Sequence, residues 1–112
     1  MKKLVWLSYD LGVQGDYEGL YLWLDTRDAK ECGASVASFS YEYNDDLPAA
    51  LARDLKENVK DTGRSRFYVI YHEQGTMKGR FIIGSRKHAP WVGSAGFAAG
   101  FDEAISDSSS DA

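Results

Sequence analysis

The sequence has a single cysteine, Cys32, among its 112 residues. One cysteine excludes an internal disulfide and any thiolate metal cluster within one chain, and it fits a reducing cytosol. Lys30 and Glu31 precede Cys32, but they form no charged constellation that would activate the thiol beside Gly33, so a buried, inert side chain is expected. Long apolar runs are also missing. Lys2-Lys3-Leu4-Val5-Trp6-Leu7 is basic and then apolar, but Ser8-Tyr9-Asp10 ends the run. That is too short for a signal-peptide core and far short of the ~20 residues of a membrane span. A cytoplasmic location with no membrane partner is expected. No repeat is visible, and the one low-complexity stretch is Ser106 to Ala112.

What is present describes one folded domain. Hydrophobic residues make up 44% of the chain and aromatics 13%, enough for a real core at this length. The net charge of −4 is unevenly spread. Asp102, Glu103, Asp107 and Asp111 close the sequence without a cation, while the first 101 residues carry 13 acids and 13 bases. The acidity therefore belongs to a tail, and the neutral body does not exclude a phosphate-bearing ligand. The domain is expected over residues 1–87, an aromatic, glycine-rich arm over 88–101 and a disordered acidic tail over 102–112.

Periodicity sets the elements. Lys3 to Tyr9 reads as a central strand. A glycine-punctuated loop follows, with Asp16 as helix N-cap. Tyr17, Leu20, Trp23 and Leu24 recur at helical spacing, and Gly19 among them suggests a close packing contact. Ala29 to Cys32 is a short strand. Val36 to Tyr43 alternates strictly, with Ala37, Phe39, Tyr41 and Tyr43 on one face. Leu47, Leu51, Leu55 and Val59 mark the clearest helix, with Pro48 in its first turn and Gly63 as its expected C-cap. Phe67 to Tyr71 and Met77 to Ile83 form a hairpin. This order predicts an α+β fold: a ferredoxin-like plait (βαββαβ) with an additional C-terminal strand, both helices on one face of the sheet.

Four constellations carry chemistry. By alternation, Trp6, Ser8 and Asp10 share one face, which puts Asp10 at the edge of the open side of the sheet. A carboxylate there suits Mg2+, which keeps several waters and takes one or two protein carboxylates; the alternative is a loop-leading aspartate that accepts from backbone amides. Arg64, Arg66, Lys78, Arg80, Arg86 and Lys87, interleaved with Tyr68, Tyr71 and Phe81, form a basic stretch fit to contact nucleic acid. The alternative is a solvated hairpin whose cations pair with nearby acids. His72, Glu73 and His88 match no zinc spacing. Trp91, Phe97 and Phe101 are separated by small residues and, together with Trp6, mark a surface that packs against the chain's own sheet or a second copy.

The strand ending in Tyr9-Asp10, the later strand opening at Ser35-Val36 with Phe39, and the element order over residues 3–71 resemble the small CRISPR adaptation nuclease subunit and related toxin-like nucleases. The resemblance implies a homodimer in which Asp10 of each copy holds a metal ion. The loop after Asp10 is neutral here, where members of that family usually carry arginines, and no second carboxylate adjoins Asp10. Two functions follow. One is a homodimeric binding or regulatory protein on a nuclease-like scaffold, with a protein partner. The other is a Mg2+-dependent nuclease or nucleic-acid-binding protein using Asp10 at the dimer interface.

Overall fold

The structure is a computed structural model that describes residues 1–96. Phe97, Phe101 and the acidic segment 102–112 lie outside the described residues. The elements run β1 (Lys2–Asp10), α1 (Tyr17–Thr26), β2 (Lys30–Gly33), β3 (Val36–Glu42), α2 (Leu47–Asn58), β4 (Arg66–Glu73) and β5 (Thr76–Ile83). A third helical segment begins at Ser94. The strands form one five-stranded antiparallel sheet in the order β2-β3-β1-β4-β5. This α+β arrangement is compatible with the plait expected from the sequence.

Alternation decides which face is covered. Val5, Leu7 and Tyr9 of β1, Ala37, Phe39 and Tyr41 of β3, and Phe67, Val69 and Tyr71 of β4 all point to one side. They form a single core with Leu20, Trp23 and Leu24 of α1 and Leu47, Leu51 and Leu55 of α2. Trp23 meets Phe39 edge-on at 5.3 Å between ring centroids. Both helices therefore cover the same face, and the other face is left open. β1 is central, as its apolar run suggests, yet it is covered on one side only: Leu4, on the open side, is 50% exposed.

Local chemistry sets the helix ends. Asp16 caps α1 by accepting from the Gly19 amide at 3.0 Å, and its second oxygen accepts from the Lys60 amide at 2.9 Å, which ties α1 to the end of α2. A side chain at Gly19 would stand 2.9 Å from the Asn58 carbonyl, so the helices cross at the close contact anticipated there. Asp46 caps α2, and Pro48 occupies its first turn. The C-terminus differs from expectation. Helix α2 ends at Asn58 with extended Val59 as its cap, and Gly63, although at φ +87°, lies in the following loop. Val59 is buried with the core, so it draws the chain out of the helix one turn before the glycine.

Cys32 is another correction: its thiol is exposed. β2 is a four-residue edge strand with every residue exposed, so no second layer reaches it.

Candidate functional site

Asp10 is the last residue of β1, and the turn beyond it shapes its surroundings. Gly12 adopts φ +76°, and its amide donates to Asp10 Oδ1 at 3.1 Å. Arg66 stands directly opposite Asp10 in the β1–β4 register, and its guanidinium donates to Oδ2. The Gly12 amide lowers the Asp10 carboxyl below the ordinary aspartate value. Partial burial opposes it, while the Arg66 bond and the charges of Arg66 and Arg86 reinforce it. The carboxylate is thus ionised at neutral pH, with both oxygens engaged.

Among the described residues no group of three or more His, Cys, Asp or Glu is placed to hold a metal ion. His72 and Glu73 are sequence neighbours on a strand and point to opposite faces. His72 is exposed, and its carbonyl accepts from Lys3 Nζ at 2.7 Å. Glu73 pairs with Lys78 at 3.2 Å. His88 lies beyond β5.

The six cations singled out in the sequence divide between the two sides of the sheet. Arg66 and Arg86 line a cleft of about 360 Å3 with Ser8, Asp10, Tyr68 and Phe81. Both also line an adjoining cleft of about 280 Å3, where Arg64 and the backbone turns at Gly63 and Gly84 complete the wall. Arg64 packs beside Gly12. Lys78 and Arg80 stand opposite Tyr71 and Val69, on the helix-covered side, where they line a separate depression with Asp45 and Asp46. Lys87 is exposed just past Arg86. The reason is the period of two: Met77, Gly79 and Phe81 face the open side, and the lysine and arginine between them cannot.

The open face has two halves. Near Asp10, Ser8 stands opposite Tyr68, and Tyr68 opposite Phe81. The two rings meet edge-on at 5.0 Å and 80°. The Tyr68 ring also reaches across Gly79, where a Cβ would come within 2.6 Å of its hydroxyl. Farther along, Trp6 stands between Ser38 and Ile70. Leu4, Ile70 and Met77 are 50%, 37% and 53% exposed. Trp91 is 71% exposed and so does not cover this sheet within its own chain. Leu4, Ile70 and Met77 escape a strand-by-strand reading. They are found by applying the alternation to β1, β4 and β5 together, once the strand order is known.

The helix-covered side carries a polar network. Asp54 accepts from Arg27 at 2.9 Å and from the Tyr41 hydroxyl at 3.1 Å, and the Arg27 guanidinium sits 4.0 Å above the Trp23 ring. Burial, followed by the Asp54 charge and hydrogen bond, pushes the Tyr41 hydroxyl up to about 12. These groups satisfy one another and stabilise the core. No helix among the described residues is long and apolar enough to cross a membrane. No protein-family model, curated protein or solved structure matches the chain.

Proposed function

We propose that the chain is a homodimeric binding protein whose open sheet face is the surface of association. The scaffold is read as a ferredoxin-like plait extended by β5, working in the cytoplasm, where its single exposed thiol stays reduced. The observation that carries the reading is the apolar half of the open face, where Leu4 and Ile70 lie exposed beside Trp6 and Met77 is exposed farther out on β5, opposite His72. Exposed contiguous apolar surface marks an association site, and a two-fold axis lets one patch cover its own copy. Trp91 is exposed and available to the same contact. The test is the mass of the full chain in solution. A dimer is expected, and Leu4→Lys with Ile70→Lys should leave a folded monomer.

The second reading is a Mg2+-dependent nuclease or nucleic-acid-binding protein, in line with the resemblance to CRISPR adaptation nuclease subunits. The placement of Arg66 and Arg86 with Asp10, and of Arg64 in the adjoining cleft, favours it. Two copies would each bring one Asp10, and metal-activated water would attack phosphorus. The engaged state of both Asp10 oxygens favours binding over this chemistry. Mg2+ titration with RNA and DNA decides: cleavage that Asp10→Ala abolishes establishes the nuclease, and absence of cleavage leaves the binding protein.

A further inference from the structure

The arginine end of the open face is built differently from its apolar half. The charges of Arg66 and Arg86 act on one carboxylate, Asp10, while Arg64 lines the adjoining cleft, and neither Arg64 nor Arg86 forms an ion pair among the described residues. The local excess of positive charge lies in a concave site. Arginine presents a fork of donors that matches the oxygens of a phosphoryl group. Beside it lies the Tyr68–Phe81 pair, with Phe81 43% exposed, so an aromatic surface remains open to a planar ring. The cleft of about 360 Å3 falls in the lower part of the ~300–1,000 Å3 range of small-molecule sites.

We infer that this cleft binds a nucleoside monophosphate, its phosphoryl group held by Arg66 and Arg86 with Arg64 at the rim, and its base laid against Phe81 and Tyr68. One nucleotide, not a strand, is what the charges fit. A strand needs cations that track its backbone. Here the open-face positions that lead away from the arginines are Ser8, Trp6, Leu4 and Ile70, all uncharged; Lys2 and Lys30 stand only at the rim of that face, opposite Glu42 and Ser38, while Lys78 and Arg80 stand on the other side. In the free protein Asp10 takes the place of the ligand on Arg66. The phosphoryl group and Asp10 compete for one guanidinium, so Asp10 weakens binding. Metal-dependent chemistry would demand the opposite effect. All of these residues belong to one chain, so the site is independent of self-association.

The test is calorimetric titration of the full chain at low salt with the four common nucleoside monophosphates, with inorganic phosphate, adenosine and a short oligothymidylate as further probes. Circular dichroism checks the fold of each variant. At least one monophosphate should bind more tightly than phosphate or adenosine. Arg66→Ala should weaken it by about tenfold or more, equivalent to ~1.4 kcal/mol. Arg86→Ala, at an exposed position, provides the same loss should Arg66→Ala not fold. Phe81→Ala should weaken monophosphate binding and leave phosphate unchanged. Asp10→Asn should tighten binding severalfold. The inference is overturned by no binding at millimolar monophosphate, by equal binding of phosphate alone, by weaker binding in Asp10→Asn, or by oligothymidylate affinity that climbs with length. A monomeric protein that still binds nucleotide would refute the dimer and leave this site standing.

Discussion

Asp10 shows how a residue's role depends on what stands opposite it. Its place at a strand end was legible in the sequence, as was its alternative use of a backbone amide. Arg66 as its partner was not, because that pairing spans 56 positions and depends on which strand lies beside β1. Asp16 was legible as a cap, since capping is local, but its bond to the Lys60 amide was not. The Asp16 carboxyl is lowered by its bonds to the Lys60 and Gly19 amides. Its contribution to stability is therefore present above the unfolded aspartate value, ~4, and lost as pH falls through the folded value. Asp16→Ala should lower Tm at pH 7 and lose that difference in acid, as read by melting curves across pH. Tyr41 acts at the alkaline end. Its hydroxyl is raised to about 12, so its contribution holds below pH ~10 and is lost as pH rises toward 12. Tyr41→Phe should remove that alkaline loss in a pH-dependent melt. Gly84 sits at φ +65° with a prospective Cβ 2.2 Å from the Ser65 carbonyl oxygen. Gly84→Ala should cost at least ~1–3 kcal/mol in denaturant unfolding, because backbone must move.

At the scale of elements, the most regular pattern was the most readable. Helix α2 repeats leucine every fourth residue, and Leu47, Leu51 and Leu55 are all buried where the period puts them. Leu51→Ala should cost ~2–5 kcal/mol by chemical denaturation, since Leu51 is fully buried. The end of α2 was less readable, because burial of Val59 outweighs the glycine signal at Gly63. β5 carries the clearest lesson for function. Read along the chain, Lys78, Arg80, Arg86 and Lys87 look like one basic stretch. Read as a strand, the first two leave by the opposite face and the site keeps only the arginines near Asp10. Cys32 turned out exposed for a related reason: its strand is short and lies at the sheet edge.

For the whole molecule, the balance of charge and the one-sided packing matter together. The neutral body noted in the sequence conceals an arginine-lined end on the open face and, on the other side, a depression of mixed charge where Asp45 and Asp46 meet Lys78 and Arg80. The helices cover one face only, and the surface they leave combines an apolar half with a charged, aromatic half. The α+β succession of strands and helices was legible from the sequence; the division of the open face required the strands to be set side by side. Self-association through the apolar half is the central claim, and analytical ultracentrifugation of the full chain tests it most directly. The account predicts a species of twice the chain mass that Leu4→Lys with Ile70→Lys converts to a folded monomer. A wild-type chain that sediments as a monomer at micromolar concentration, or a double variant that remains a dimer, would contradict it.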